Sequence, residues 1–300
     1  MIWVSWRQHR SQAITGLGVL CALAVYALVL GLQMRSSFTQ NNLAACLVHS
    51  LGASCPNSVA TFDNSFGSLV NIGFWGVLLL LPGLIGAAVG APLIARELEL
   101  GTWRLAWSQT VPRSRWLVVK LAVAAAGLTV LGAAMTLVIT WYRAPMDRLT
   151  GHFVHNAYDY EGFVFTAYIL FAFGLAVLAG ALLRRSIPAL LAALVPWVAV
   201  RIVVEFVLRP HFMAPLTFRQ TCPHGCGGGG GNTIVNVPPS TGHIGNLLIK
   251  TLTNTGTTQV TSYQPASRYW AFQSIEAGIF VALTLIVLSA TVWLVHRRAA

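Results

Sequence analysis

The sequence predicts an all-α integral membrane protein with six transmembrane helices and both termini in the cytoplasm. Charged residues make up 9% of the chain and hydrophobic residues 56%, whereas soluble domains carry about 25% charged residues. Apolar runs close to the roughly 20 residues that cross a bilayer occur six times along the 300 residues. The predicted spans are residues 13–32, 70–94, 117–141, 162–183, 187–208 and 270–295.

The basic residues beside these runs predict the orientation. Eleven of them lie in short segments on one side of the membrane, and seven are spread through longer loops on the other. Dense positive charge next to the spans marks the cytoplasmic side, so residues 95–116 are predicted to be cytoplasmic and loops 33–69, 142–161 and 209–269 to be outside the cell. The dense set is Arg7, Arg10, Arg96, Arg104, Arg113, Arg115, Lys120, Arg184, Arg185, Arg297 and Arg298.

Residues 1–12 are predicted to form a short interfacial helix. Trp3 and Trp6 would lie in the headgroup layer, with Arg7 and Arg10 close to lipid phosphates. The alternative is a frayed terminus whose charges only set the topology. The apolar run that follows is too long for the core of a signal peptide, and no small-residue cleavage site follows it closely.

The net charge of +11 does not indicate nucleic-acid binding. The basic residues form no continuous stripe and match none of the usual binding motifs. In a membrane protein an excess of Arg and Lys reports orientation instead. We therefore expect membrane lipid, and no nucleic acid, as a partner.

Small residues and prolines in the spans predict how the helices pack. Gly86 and Gly90 form a G-x-x-x-G pair, which lets two helix backbones approach closely. The short stretch "LRRSIP" between the fourth and fifth spans predicts a tight antiparallel hairpin, with Pro188 in the first turn of the fifth span.

Four of the five cysteines fall in the predicted outer loops: Cys46, Cys55, Cys222 and Cys226. An oxidising exterior favours disulfides, and four cysteines allow three pairings, among which the sequence does not choose. The stretch "CPHGC" could instead hold a metal through Cys222, His224 and Cys226, although oxidation of the thiols competes with this outside the cell.

The chain carries no nucleotide site of the Walker A type. Such a site needs a lysine directly after a glycine, and neither Lys120 nor Lys250, the two lysines of the chain, follows a glycine. The hydrolase patterns G-x-S-x-G and H-E-x-x-H are absent as well. We expect that this chain binds no cofactor and is not itself an enzyme.

Apart from Lys120 at the cytoplasmic start of the third span, three charged residues fall inside the predicted spans: Arg201 and Glu205 in the fifth and Glu276 in the sixth. The i, i+4 spacing of Arg201 and Glu205 lets them pair on one helix face. Charges within a membrane usually face a bundle interior or a watery cavity. These residues could line a path through the bundle, or the pair could fix helix register, with Glu276 at the membrane interface.

The outer loop 142–161 carries His152, His155, Asp159 and Glu161 close together. These residue types ligate metals, and such a site would suit a membrane enzyme that acts on a lipid-linked substrate. One short loop would have to supply every ligand, so solvated interfacial residues are the alternative that we favour.

The densest charge lies in the segment 95–116, "ARELELGTWRLAWSQTVPRSRW". Gly101 is expected to end the second span, and Thr102 can cap a new short helix. Trp103 and Trp107, spaced i, i+4, would share one face of that helix, which would lie along the membrane surface.

This segment resembles the matching part of the membrane subunits of type-2 ABC exporters, permeases with six spans each. In that family an R-E-x-E-x-G-T stretch leaves the second span, a coupling helix follows, and a proline with basic residues opens the third. Two departures are the bulky Trp103 and Trp107 and the long, cysteine-containing outer loop before the sixth span. The residues that carry the resemblance are Arg96, Glu97, Glu99, Gly101, Thr102, Pro112, Arg113, Arg115 and Lys120.

The resemblance implies a permease subunit of an ABC exporter in the plasma membrane, which moves drug-like, lipidic or peptide cargo out of the cell. Two copies of a separate cytosolic ATPase would bind ATP and Mg²⁺, and a second permease subunit, identical or related, would complete the path. A membrane subunit that senses a ligand without transporting it is an alternative. The implied ATPase-docking residues are Glu97, Glu99, Gly101, Thr102, Trp103, Arg104, Trp107 and Arg113.

Overall fold

The computed structural model describes residues 24–48, 55–71, 75–99, 113–153, 158–221, 247–254 and 258–298. Within these ranges the chain is mostly helical, as the apolar runs predict. The helices are α1 (24–40), α2 (Leu43–Val48), α3 (Cys55–Asn71), α4 (Trp75–Glu99), α5 (Arg113–Thr150), α6 (Val164–Leu183), α7 (Ser186–Val203) and α8 (Tyr269–Arg298).

Four helices within the described residues are long and apolar enough to cross a membrane: Arg115–Leu149, Val164–Leu183, Ser186–His211 and Ala266–Arg297. They coincide with the third to sixth predicted spans. A shorter apolar helix, Leu80–Arg96, lies within α4 at the position of the second. Most of the first predicted span, and the predicted interfacial helix before it, lie outside the described residues.

Helix α5 continues nine residues past Trp141, where the sequence predicts the span to end. The prediction stops there because Arg143, Asp147 and Arg148 interrupt the apolar run. In the structure Arg143 and Asp147 are an i, i+4 ion pair with 3.4 Å between Nε and Oδ1, so the added turns carry paired charge. Gly151, with φ of 81°, ends the helix, as is common for a glycine just past a helix C-terminus.

The predicted outer loops contain regular structure, which corrects the all-α prediction. Helices α2 and α3 lie within residues 33–69 and slightly beyond. The described part of the loop before α8 contains three strands: β1 (Leu216–Thr221), β2 (Leu247–Asn254) and β3 (Thr258–Gln264). They form one antiparallel sheet in the order β1-β3-β2. The sequence predicts a loop here because of the run of glycines, although Thr, Val and Tyr in the strands favour β structure.

Helix α6 is the centre of the bundle and packs against α4, α5, α7 and α8. The closest approach is to α4, as the G-x-x-x-G pair predicts. A Cβ at Gly86 would collide with the backbone carbonyl of Ile169, and one at Gly90 would lie 2.6 Å from the carbonyl oxygen of Phe173. The two glycines therefore set the distance between α4 and α6.

The turn from α6 to α7 is as tight as the sequence predicts. Arg184 ends α6 in the left-handed conformation, with φ of 54°, and its N–H donates to the carbonyl of Gly180. Arg185 is extended, and α7 begins at Ser186 with Pro188 in its first turn. We call this end of the bundle the hairpin end, and the opposite end, where the strands lie, the sheet end.

Candidate functional site: two buried charge clusters at the sheet end

The candidate site lies where α7 leaves its regular helical course. Val204–Leu208 form a π turn, and the Arg209 N–H donates to the carbonyl of Val204, five residues earlier. Eight residues of regular α-helix rotate by about 800°, which would leave Arg209 about 80° around the axis from Arg201. Because a π turn holds one more residue than an α turn, both guanidinium groups reach the same carboxylate.

Two carboxylates bind these guanidinium groups inside the bundle. Asp159, on the segment between α5 and α6, accepts hydrogen bonds from Arg209 Nη2 at 2.6 Å and from Arg201 Nη2 at 2.8 Å. Glu276 of α8 accepts hydrogen bonds from Arg209 Nε and Nη2, both at 2.9 Å. The Tyr168 hydroxyl of α6 donates to Glu276 Oε1 at 2.6 Å. We call these five side chains the central network.

The central network is closed to solvent. Arg209 is 2% exposed and Glu276 1% exposed. The guanidinium carbon of Arg201 lies 4.5 Å from the ring centroid of Tyr168, and that of Arg209 lies 4.4 Å from that of Tyr158. Each ring covers one face of a cation, so the charges are paired and shielded within this chain.

Asp159 is held in its charged form. Burial raises the pKa of its carboxyl group, but Arg209 and then Arg201 outweigh that effect and lower the pKa from 3.8 to about 2. Glu205 lies at the edge of the network, with its Oε2 4.0 Å from Arg201 Nε. The network therefore joins α7, α8 and the segment before α6 through ion pairs, and α6 through the Tyr168 hydroxyl, and removal of one arginine or carboxylate would leave an unpaired buried group.

A second cluster, which we call the His152 cluster, consists of Arg143, Asp147, His152 and Glu161. Arg143 Nε donates to Glu161 Oε1 at 3.2 Å, and His152 Nδ1 lies 2.7 Å from Glu161 Oε2 and 3.7 Å from Asp147 Oδ2. The hydrogen bond to Glu161 is the main cause that raises the pKa of His152 above its usual 6.5. The His152 side chain is half-exposed, whereas those of its three partners are buried.

Gln273 of α8 holds the segment that connects the two clusters. Its amide nitrogen donates to the carbonyls of Tyr158 at 2.9 Å and Glu161 at 3.0 Å, and its amide oxygen accepts from the N–H of Val164 at 3.1 Å. Gly162 between them has φ of 72° and lies so close that a Cβ there would be 2.7 Å from Gln273 Oε1. One side chain thus fixes both the segment and the first turn of α6.

The structure divides the charged residues that the sequence singles out between the central network and the His152 cluster. Arg201, Glu205 and Glu276 lie in or beside the central network, and Glu276 is buried and ion-paired, not at the membrane interface. The favoured interpretation of the outer-loop residues as solvated is wrong for Asp159 and Glu161, which are buried. Asp159 belongs to the central network, whereas Glu161 lies with His152 in the other cluster. His155 lies outside the described residues.

At the hairpin end, the structure describes little of the predicted docking segment. Gly101, Thr102, Trp103, Arg104 and Trp107 lie outside the described residues. Glu97 lies in the last turn of α4, and Arg113 begins α5. The Glu99 carboxylate accepts hydrogen bonds from the Ser186 N–H at 2.9 Å and the Ser186 hydroxyl at 3.2 Å. Glu99 therefore caps the first turn of α7 from a different helix.

The predicted disulfides stay predictions. Cys46 lies in α2 and Cys55 begins α3, within ranges that the sequence predicts to be loop. Cys222 and Cys226 lie outside the described residues. Their pairing is therefore open.

Five residues on which the two clusters depend are not predicted from the sequence: Arg143, Asp147, Tyr168, Arg209 and Gln273. The sequence places Arg209 in the outer loop because the apolar run ends at Leu208. Its position eight residues after Arg201 is the signal that was present, but an α-helix would have pointed the two side chains apart. Tyr168 and Gln273 carry no signal of their own, since each finds its partners on other helices.

Comparison with known families agrees with this architecture. The family described as ABC-2 membrane transporter related matches residues 17–209, a range that begins before α1 and ends at Arg209 of the central network. Searches of the curated proteins and of the solved structures gave no significant match. Since the matched region covers more than half of the chain, the chain belongs to the ABC-2 membrane transporter related family.

Proposed function

We propose that this chain is the permease subunit of an ATP-driven exporter and that a separate cytosolic ATPase powers it. The observation that carries the proposal is the family match over residues 17–209, because families of this type supply the membrane component of a transporter. The lack of a Walker A lysine fits a partner that binds the ATP and Mg²⁺. The cargo class, drug-like, lipidic or peptide, and export out of the cell belong to the same proposal.

In the proposed complex the ATPase acts on residues 101–110, which follow α4. Glu99 supports this route because it is the last residue of α4 and its carboxylate binds the first turn of α7. A displacement of the segment after α4 would therefore pull on two helices at once. Gly86 and Gly90 seat α4 directly on α6, so α4, α6 and α7 would move together.

The central network is proposed as the fixed point of this movement. Its ion pairs tie the segment before α6, the C-terminal part of α7 with the turns that follow it, and α8 together at the sheet end, and the Tyr168 hydroxyl adds α6. Since Arg201 and Glu276 are buried within one chain, we propose that they hold the helices in register and that the cargo path forms between this subunit and a second, identical or related, permease. The apolar side chains that α5, α7 and α8 expose are then available to lipid and to that second subunit.

The membrane topology is part of the proposal. Six spans follow from the apolar runs, cytoplasmic termini from the basic residues, and a location in the plasma membrane from the resemblance to exporter permeases. A cysteine introduced at Ser108, in a background without the five natural cysteines, should resist a membrane-impermeant thiol reagent applied to intact cells. A cysteine introduced at Ser240 is the matched control and should react. Labelling at Ser108 from outside would invert the topology and end the proposal.

Co-purification tests the ATPase partnership. The tagged chain, isolated in mild detergent from its own cells, should carry a P-loop ATPase in equal number, and the complex should hydrolyse ATP. Glu97→Arg and Gly101→Pro should abolish the association or the hydrolysis, because they alter the proposed docking segment. Lys250→Glu reverses a charge on β2, at the opposite end, and should change neither.

The proposed function fails if the unaltered chain carries no ATPase, or if the variants at Glu97 and Gly101 behave as the Lys250 control does. An intact complex that hydrolyses ATP but moves no cargo in vesicles would favour the sensor alternative. The metal centre that the sequence suggests for an enzyme would need Asp159 beside His152 and Glu161, whereas Asp159 binds Arg201 and Arg209 in the central network.

A further inference from the structure

Asp147 is the starting point for a second site, which is independent of the proposed export function. Its side chain is 1% exposed. Among the described residues neither carboxylate oxygen accepts a hydrogen bond, although Arg143 Nε lies 3.4 Å from Oδ1 as an ion pair. A buried carboxylate without hydrogen bonds is costly, so this side chain has coordinating capacity that the surrounding protein does not use.

Arg143 contacts one oxygen of each carboxylate in the cluster, so the other oxygen of each carboxylate faces His152. Its Nε contacts Oε1 of Glu161 and Oδ1 of Asp147. The remaining oxygens, Oε2 of Glu161 and Oδ2 of Asp147, face Nδ1 of His152 at 2.7 and 3.7 Å. One oxygen of each carboxylate and one imidazole nitrogen thus point toward a common centre, and all three donor atoms lie within 4.8 Å of one another.

The donor set of the cluster favours a cation at that centre. Two carboxyl groups and one imidazole nitrogen face one guanidinium. Buried charges are normally paired or coordinate a metal. The half-exposed His152 gives the centre a route to solvent, which an exchangeable ion needs.

We propose that Asp147, His152 and Glu161 bind one divalent transition-metal cation of the Zn²⁺ type. Imidazole nitrogen with carboxylate oxygen is a donor set that suits zinc, and three protein ligands leave a fourth position open. Bonds of about 2.0–2.2 Å require the three donors to close slightly around the ion, which rotation of the half-exposed His152 side chain allows. Arg143 then acts as the outer partner that orients both carboxylate ligands.

The ion would link the end of α5 to the segment that leads into α6. Asp147 lies in the last turns of α5, whereas His152 and Glu161 lie on the segment that leads into α6. The same segment carries Asp159 of the central network and is held by Gln273. Metal binding here would therefore stiffen the connection through which α5 reaches the rest of the bundle.

Zinc binding by the purified full-length protein tests the site. The background carries Cys222→Ser and Cys226→Ser, so that "CPHGC" contributes no ligand. After treatment with EDTA, the protein is titrated with zinc sulfate against a chromophoric chelator at neutral pH. One equivalent of Zn²⁺ should bind, and His152→Ala should weaken its affinity by more than about 10-fold, since even the loss of an outer partner has that effect.

Two further variants keep the test decisive. Asp147→Asn preserves the shape of the side chain and should weaken binding as His152→Ala does. His296→Ala removes an exposed histidine at the far end of α8 and should leave the affinity unchanged. Co²⁺ bound in place of Zn²⁺ should show visible absorption that His152→Ala removes, while an unchanged elution volume shows that the variants remain folded.

The proposal is overturned if the Cys-substituted parent protein binds no Zn²⁺, or if it binds Zn²⁺ with an affinity that His152→Ala and Asp147→Asn leave unchanged. A parent protein that binds no metal and is stabilised by Asp147→Asn would show instead that the two carboxylates share a proton. None of these results depends on an ATPase or on transport.

Discussion

The two ends of the bundle use charge in opposite ways. At the sheet end, Asp159 and Glu276 each bind guanidinium groups that are almost fully buried. At the hairpin end, Glu99 binds Ser186 at an exposed position where water competes. Buried pairs are costly to break because each partner left behind is an uncompensated charge, whereas exposed contacts contribute little. The difference separates an end that is locked from an end that can move.

Loss of Arg209 should reduce the stability of the sheet end more than any other change, because Glu276 loses its arginine partner and Asp159 keeps only Arg201. We expect Arg209→Met to lower the free energy of unfolding by about 3–5 kcal/mol, measured as a large fall in the thermal midpoint in detergent. Arg297→Met removes an exposed arginine and should stay within about 0.5 kcal/mol of the parent. Equal effects of the two substitutions would mean that the sheet end is not locked.

A methyl group at Gly86 should have the next largest effect. Its Cβ would meet the backbone of α6 at Ile169 and Phe173, and overpacking of this kind costs up to about 3 kcal/mol. Gly127→Ala is the matched control, since no described atom lies within 4 Å of its Cβ position, and alanine favours a helix. Unfolding midpoints that fall equally in both variants would contradict the close contact between α4 and α6.

Acid should weaken the sheet end through protonation of Asp159. The folded pKa of Asp159 is lowered from 3.8 to about 2, so its contribution to stability is complete above about pH 4 and is lost as the pH falls toward 2. The expected loss is about 2 kcal/mol. Unfolding midpoints recorded from pH 6 to pH 2 should fall less steeply in Asp159→Asn than in the parent. Parallel curves would show that Asp159 is not held by the arginines.

Glu99→Gln should have the smallest effect on stability, below about 1 kcal/mol, because it weakens an exposed cap of α7 without burying a charge. Its effect on coupling should be larger if the hairpin end transmits motion. We expect the Glu99→Gln chain to bind the ATPase normally and the resulting complex to hydrolyse ATP at an altered rate. Ser186→Ala removes the same hydroxyl contact and should reproduce part of that effect. A normal rate in both variants would remove Glu99 from the coupling route.

The sequence predicts the elements whose signal is local. The third to sixth spans, the tight turn before α7 and the glycine contact of α4 follow from apolar length, from Pro188 and from the spacing of Gly86 and Gly90. Each of these signals lies within a few turns of one helix. The same reasoning places Arg201, Glu205 and Glu276 in the spans.

The sequence does not predict which charges meet. Helix α5 runs past Trp141 because Arg143 is paired both within α5 and with Glu161, eighteen residues further along, and no periodicity signals a pair of that kind. Asp159 and Glu161 are two residues apart, yet they belong to different clusters because the segment that carries them is held between α6 and α8. The strands of the outer loop are not predicted for a related reason. A sheet depends on pairing between distant segments, and the glycine run between these segments gives no sign of that pairing.

The π turn of α7 has a consequence for how this chain tolerates insertion and deletion. Removal of a single residue from Val204–Leu208 would turn the π turn into an ordinary α turn and leave the arginine seven residues after Arg201, a rotation of about 700°. The two guanidinium groups would then still share one helix face and could still reach Asp159. The π turn thus absorbs one surplus residue while a single helix supplies two cations to the same buried pocket.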